Sequence, residues 1–417
     1  MRHFLVLGTH PLLSLAEARA VLGGDKPEII DNIAIFCAKG ASASGGERED
    51  WDGAWLQDRL AGTVKLGDIV ADISLKQLSP ERLADLIEQH PRAERILFGL
   101  TLLGEGQSRF NKLALQLKKE LKARGKASRW VTGDEGEIAT AAVSKLKLTT
   151  EGYDFVIALT RNRAYVGLTA QIQNIDAWSR RDFGRPFRDP ATGMLPPKLA
   201  RLMVNLGVTH HALRITQHQT ILDPFCGGGT ILMEAALMKT GPLIGSDIDP
   251  RQVEGSKKNL DWLVVNGLID QTTRTQIRLL THPAESIDSK LENPVDAVVT
   301  EGFLGKPLQG NEPLAFLEKS KREIEALWIA SLKSFAKILK PGGRIVAVWP
   351  VFTVSAKGGC ASGAKICTVA VDLKNKIHEL GYRLMNPLEG WTSKPATLTY
   401  SRPDQHVKRN IVILEKI

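Results

Sequence analysis

The 417-residue chain contains only four cysteines, Cys37, Cys226, Cys360 and Cys367. None forms a C-x-x-C pair or has a histidine nearby at zinc-finger spacing, so a disulfide scaffold and a structural zinc module are excluded, and reduced thiols and no metal site are expected. No apolar run approaches the roughly eighteen residues of a membrane span. The opening Met1-Arg2-His3-Phe4-Leu5-Val6-Leu7-Gly8 is too short for a signal h-region and lacks a small-residue cleavage site. A soluble, cytoplasmic protein without membrane partners is the expectation. Internal repeats and long low-complexity tracts are missing. What remains is globular: 43% hydrophobic and 24% charged residues. At roughly 150 residues per domain, two or three domains are expected. Lys and Arg number 55 against 46 Asp and Glu, a net charge of +9. Such an excess suits an anionic partner, a nucleic acid or a membrane surface.

The chain reads as four segments. Residues 1–75 make a small α+β module: a strand over Phe4–Leu7, a helix with Ser14 as N-cap and Glu17 as capping-box partner, a strand over Ile29–Phe36 and a loop at 41–50. Residues 76–175 make a second module. Ser79-Pro80-Glu81 opens a helix, and Arg95–Thr101 reads as a strand. Lys112–Arg124 is an amphipathic helix with Leu113, Leu117 and Leu121 on one face, and Tyr153–Leu159 with Ala164–Ala170 a hairpin. Residues 176–198 are turn-rich and dense in arginine, as in a linker. From 199 to 417 strand, glycine loop and helix alternate, the signature of a doubly wound α/β domain.

In that last segment, the strand Thr220-Ile221-Leu222 runs into Asp223-Pro224-Phe225-Cys226-Gly227-Gly228-Gly229-Thr230 and then at once into a helix. This geometry brings a ligand against backbone N–H groups and a helix N-terminus. The next strand, Leu243-Ile244-Gly245, ends in Ser246-Asp247-Ile248-Asp249, where an acid is placed to bind ribose hydroxyls. Neither G-x-G-x-x-G nor a P-loop is present. The octet instead resembles motif I of class I S-adenosylmethionine methyltransferases. That resemblance implies S-adenosylmethionine as cofactor, held by Asp223, Phe225, Cys226, Gly227, Gly229, Thr230, Asp247 and Ile248. A tight turn needing glycine accounts for one or two of the glycines only. Ile338–Val348 resembles the fifth strand of the same fold, and Leu398–Leu414 its antiparallel closure.

Amino-methyltransferases of nucleobases carry Asp/Asn-Pro-Pro-Tyr/Phe after the fourth strand. An acceptor there binds the hydrogens of the exocyclic amine and turns its lone pair toward the methyl group, and an aromatic stacks on the base. Here the corresponding residues are Thr300-Glu301-Gly302-Phe303. Glu301 keeps the carboxylate on a longer arm, Gly302 replaces the stiffening proline, and Phe303 comes one place early. Glu301 and Phe303 are the candidate catalytic residues. Pro283 is a second departure, because it cannot make the polar adenine contact the family places there. The loop Lys306–Asn311 reads either as a substrate lid or as an ordinary surface loop.

Lys118, Lys119, Lys122, Arg124, Lys126 and Arg129 form a basic face beside Phe110 and Trp130, suited to phosphate contact and base stacking. The linker adds Arg180, Arg181 and Arg185. A solvated face is the plain alternative. Leu5–Gly8, Leu13–Glu17, Trp178–Pro186, Met194–Ala200 and Tyr400–Gln405 resemble, in the same order along nearly the whole chain, the THUMP-domain tRNA methyltransferases that form N2-methylguanosine at tRNA position 10. The resemblance implies a ferredoxin-like module at 1–75, a THUMP-like RNA-binding domain at 76–175, a linker at 176–198 and a Rossmann-like methyltransferase domain at 199–417. It also implies Leu195–Leu199 at the cofactor pocket, tRNA as partner and, in some relatives, a small activator subunit. Two alternatives stay open: a DNA amino-methyltransferase, and an RNA-binding protein that kept the fold without the chemistry.

Overall fold

The computed structural model describes residues 2–37, 52–133, 138–189, 193–208, 219–355, 366–392, 396–403 and 405–417. The loop expected at 41–50, Cys360 and Asp404 lie outside them. The chain divides into two compact units, Met1–Leu15 with Gly24–Ala177 and Ala16–Gly23 with Trp178–Ile417.

The front unit is built on one eight-stranded sheet: β1 (Arg2–Leu7), β2 (Glu28–Ile30), β3 (Ile33–Cys37), β4 (Thr63–Ser74), β5 (Ile96–Gly104), β6 (Ser128–Val131), β7 (Tyr153–Leu159) and β8 (Arg163–Ile172), in the order β2-β3-β1-β4-β8-β7-β5-β6. The two front modules therefore share a sheet, joined where β4 pairs antiparallel with β8. Helix α1 spans Pro11–Leu22, so Ser14 lies inside it rather than capping it. Ser14 is buried and its hydroxyl donates back to the His10 carbonyl, as serine does within helices. The strand expected over Ile29–Phe36 is two strands, broken where Asp31 takes a φ of 51°. Two short helices, α2 (Gly53–Arg59) and α5 (Thr140–Lys145), flank the longer pair α3 (Pro80–Gln89) and α4 (Leu113–Ala123). Ser79 does cap α3, accepting from the Arg82 amide, with Pro80 at the first helical position. Leu113, Leu117 and Leu121 of α4 are buried in one core with Phe98 and Phe155.

The rear unit carries five parallel strands, β9 (Ile221–Asp223), β10 (Leu243–Asp247), β11 (Ile277–Thr281), β12 (Val295–Thr300) and β13 (Leu339–Ser355), in the order β11-β10-β9-β12-β13. Four antiparallel strands follow, β14 (Ile366–Ala370), β15 (Tyr382–Leu384), β16 (Leu398–Tyr400) and β17 (Val407–Lys416). The expected closing pair is β16 and β17, with Leu398 opposite Ile411, but β17 lies between β13 and β15 rather than at the edge. The helices are α6 (Ile175–Phe183), α7 (Pro197–Gly207), α8 (Thr230–Leu237), α9 (Pro250–Val265), α10 (Gln271–Thr275) and α11 (Leu314–Ile338). α11 lays Trp328, Leu332 and Phe335, all fully buried, into the core formed with Val298 and Ile345. The chain builds outward from β9 to β11, then returns to place β12 on the other side of β9. In such sheets ligands bind at the carboxyl ends of the strands flanking this reversal.

The linker reading of 176–198 is corrected by α6, which runs from Ile175 to Phe183, and by Trp178 and Arg181, which are buried. The cysteine reading is corrected too: Cys37 and Cys226 are free, but Cys367 on β14 is disulfide-bonded. Sequence spacing cannot show which cysteines an antiparallel return brings within bonding range. Among the described residues no helix is long and apolar enough to cross a membrane.

Candidate active site

A cavity of about 430 Å³ opens in the rear unit at the carboxyl ends of β9, β10 and β12, a size suited to a small organic ligand. Asp223, the last residue of β9, is fully buried there. Its Oδ1 accepts from Thr300 Oγ1 at 2.7 Å and from the Phe225 amide at 3.3 Å. Burial, with the nearby Asp247 and Glu301 charges, pushes its pKa up to about 7 against those two hydrogen bonds. The Thr300–Asp223 bond ties the last residue of β12 to the glycine loop.

The loop folds as its composition demands. Gly229 takes a φ of +78° just before α8, where a Cβ would lie 2.7 Å from Ser256 Oγ, so only glycine fits. The Gly227 amide donates to Asp247 Oδ2 at 2.9 Å, and the Asp249 amide donates to Oδ1 at 2.9 Å. The acid after β10 is thereby fixed against the loop, and burial raises its pKa despite these bonds. Ile248 is 71% exposed on the cavity wall, an apolar face beside the carboxylate.

Glu301, Gly302 and Phe303 line the same cavity. Phe303 is 51% exposed, a large aromatic left facing solvent. Glu301 is nearly buried and gripped by Arg409 of β17: Nε donates to Oε1 at 2.6 Å and Nη2 to Oε2 at 3.3 Å. A Cβ at Gly302 would lie 2.7 Å from Trp328 Cζ2. The indole therefore fills the space in which the family's proline would sit. Pro283, Ala284 and Glu285 complete this wall. The Lys306–Asn311 loop is held down, with the Gly310 amide donating to Glu312 Oε2 at 3.0 Å and Leu308 packed on the core.

Of the residues singled out from sequence for the cofactor, Asp223, Phe225, Cys226, Gly227, Thr230, Asp247 and Ile248 line the cavity, and Gly229 does not. The Cys226 thiol is buried and its pKa pushed well up, which makes it inert. Leu195 lines the cavity but Leu199 does not. The wall also includes Arg185, Phe187, Arg188 and Asp189, which sequence reasoning had left in the linker. Asn259 of α9 stitches this segment in place: its Oδ1 accepts from the Phe187 amide at 2.9 Å, and its Nδ2 donates to the carbonyls of Phe187 and Gly228.

The basic residues divide by burial. Lys118, Lys119, Lys122, Lys126 and Arg129 of the front unit are exposed. Arg124 is engaged by Glu120, Asp85 and Glu88, which hold its pKa up, so it braces α4 against α3 instead of offering a free cation. Arg180 is exposed beside Trp262 and donates to Asn266. Arg181 is buried, lies 4.2 Å over the Trp178 ring and shares Glu234 with Arg201. Its inclusion among RNA contacts is corrected by that burial, and Arg185 is likewise buried against α8. Arg409 escaped sequence reasoning altogether, since nothing local to it signals a partner 108 positions away.

Residues 184–353 match the family model of the RMKL-like methyltransferase domain, UPF0020. A tRNA (guanine(10)-N2)-dimethyltransferase of Methanothermobacter thermautotrophicus is 38% identical over 167 residues, 40% of this chain and 41% of that protein. The enzyme of the same name from Methanocaldococcus jannaschii is 27% identical over 216 residues, 52% of this chain and 54% of that one. The matches thus span about half the length of these curated relatives. The crystal structure of TrmN from Thermus thermophilus superposes with a TM-score of 0.51 at 16% identity, covering 100% of both chains. That likeness shows the fold along the whole chain. The chain carries a Rossmann-like methyltransferase domain behind a mixed α/β front unit.

Proposed function

We propose that this protein is an S-adenosylmethionine-dependent RNA methyltransferase, acting in the cytoplasm on the exocyclic N2 of a guanine in tRNA. One observation carries the reading: a single cavity at the β9–β12 reversal joins a motif I loop and its partner acid to Glu301 and an exposed Phe303. The match of the domain to methyltransferases and the names of the two archaeal relatives support the same chemistry.

The residues present fit such a cofactor. Asp247 presents a fixed carboxylate to a ribose, Ile248 offers an apolar face to a flat base, and buried Asp223 offers an anion to a cationic amino-acid end. When bound, the cofactor supplies a methyl group already activated by a sulfonium. The remaining work falls to the protein. A guanine amine is a weak nucleophile because its lone pair is delocalised into the ring. Glu301, clamped by Arg409, is a fixed acceptor for one N–H and so directs the lone pair toward the methyl carbon. Transfer from such a sulfonium would leave one surplus proton on the amine, which would pass to water. Phe303 stacks on the base, a contact worth about 1–3 kcal/mol. The exposed lysines of α4 and Arg129 supply phosphate contacts.

Transfer of labelled methyl groups to unmodified tRNA, with duplex DNA as competitor, tests this reading. Label in tRNA that DNA does not suppress is expected. Label in the DNA would support an amino-methyltransferase of DNA instead. Tight tRNA binding without cofactor affinity would support a non-catalytic RNA-binding protein.

A further inference from the structure

We propose that a stripe of arginines stacked on aromatic rings binds the RNA strand next to the target guanine, with Phe183 covering the neighbouring base. The stripe runs from Lys258 and Trp262 on α9, across Arg180 and Phe183 of α6, to Arg188 at the cavity. The inference rests on the substrate reading above and names the surface of the rear unit that would hold that substrate. Among the described residues only two aromatic side chains are exposed, Phe183 at 64% and Phe303 at 51%. Phe303 lines the cavity. Phe183 does not, but Arg188 does, and its guanidinium lies 5.1 Å over the Phe183 ring. The cavity wall thus leads outward onto a cation–aromatic stack. Arg180 precedes Phe183 by one helical turn on the same exposed face of α6. Its guanidinium lies 5.9 Å over the Trp262 ring and donates to Asn266 Oδ1. Lys258, also exposed, stands one turn before Trp262 on α9.

Arg251, at the start of α9, is neutralised by Asp249. Arg180 and Arg188 instead rest on rings, and among the described residues neither has a carboxylate within ion-pair distance. A guanidinium stacked on a ring keeps its N–H edge for a phosphate oxygen, and an exposed ring keeps a face for a base. A strand whose bases are open offers both groups in alternation, phosphate then base. A closed duplex would use the cations and leave the rings idle, because its bases are stacked on one another. The chemistry itself opens the stack. An exocyclic amine reaches an enclosed site only when its base leaves its neighbours, which bares their faces. Phe303 is placed inside the cavity for the target base, and Phe183 outside it for the base next to it.

Equilibrium binding of unmodified transcribed tRNA to the full-length protein, measured over a range of salt concentrations, tests the assignment without requiring turnover. Phe183→Ala should weaken tRNA binding about 5- to 100-fold, and Phe183→Trp should restore it. Neither should alter the salt dependence or the affinity for S-adenosylmethionine, because the ring carries no charge and lies outside the cavity. Arg180→Gln and Arg188→Gln should each flatten the log–log salt slope by about 0.7–0.9. A tRNA assembled with an abasic residue on each side of the methylated guanine locates the contact. It should bind the wild type as weakly as Phe183→Ala binds the intact tRNA, with no further loss in Phe183→Ala. Intact tRNA bound equally by Phe183→Ala and the wild type would overturn the proposal and leave the stripe to a protein partner. A loss in Phe183→Ala that is undiminished on the abasic tRNA would overturn it too, since the ring would then meet no neighbouring base. Failure of the wild type to bind tRNA at all would instead defeat the substrate reading, and the stripe with it.

Discussion

Glu301 and Arg409 form a two-pronged ion pair across 108 positions of sequence, with both side chains withdrawn from solvent. The pair explains how a longer acid replaces the family's short one. A glutamate has one more rotatable bond than an aspartate, and the guanidinium fork removes that freedom. Arg409 sits on β17, opposite Pro350 of β13, so the closing strand of the sheet positions the acid of the active site.

Removing Arg409 alone should be worse than removing both partners. Arg409→Met leaves a buried carboxylate unpaired and is expected to cost about 3–5 kcal/mol. Adding Glu301→Leu should recover much of that stability, as followed by urea unfolding. Arg409→Lys should retain the fold and cofactor affinity while lowering kcat more than KM, because only the orientation of Glu301 is disturbed.

Gly302 is constrained by Trp328. Gly302→Ala should cost about 1–3 kcal/mol through overpacking. Trp328→Leu in the same chain should relieve the clash, so the two changes together should cost less than their sum. Additive losses in thermal unfolding would contradict the close approach of the two residues.

Asp223 gives stability a pH dependence of defined sign. Its pKa rises from the ordinary 3.8 to about 7 on folding. Below about pH 4 the carboxyl is protonated in both states. Between there and pH 7 the unfolded chain releases its proton first, so stability falls as pH rises and then levels off. Asp223→Asn should therefore gain stability relative to the wild type at pH 8, by at most about 4 kcal/mol, and much less at pH 4. The same group predicts that affinity for a cationic cofactor increases from pH 5 to 8, with proton release on binding, which calorimetry in buffers of different ionisation enthalpy reads directly.

The exposed and buried basic residues should separate cleanly. Changing Lys118, Lys119 and Lys122 to Ala should weaken tRNA binding. It should also flatten the salt dependence by about 0.7–0.9 in log–log slope for each phosphate no longer neutralised. Arg181→Ala should lower stability, with little effect on that slope, because it removes one of the two arginines paired with buried Glu234.

The parallel sheet and its glycine loop were legible because β-branched runs, a Gly-rich turn and a following helix are local signals. So was α4, whose leucines repeat at helical spacing. The sequence was silent on contacts that only folding creates. Arg181 and Arg185 read as linker charges until folding set them, buried, against Glu234 and Thr230 of α8. Gly302 read as a weakened motif until Trp328 was seen to occupy the proline's place. Arg409 carried no signal, since pairing through a sheet leaves no trace in spacing. The break of the Ile29–Phe36 strand rests on one left-handed residue, Asp31, which apolar patterning does not reveal.

The central claim is tested most directly by incubating the purified protein with unmodified transcribed tRNA and methyl-labelled S-adenosylmethionine, then digesting the RNA and identifying the labelled nucleoside. The account predicts labelled N2-methylated guanosine, lost in Glu301→Ala while cofactor binding survives. Label in any other nucleoside, or unchanged labelling in Glu301→Ala, would contradict it.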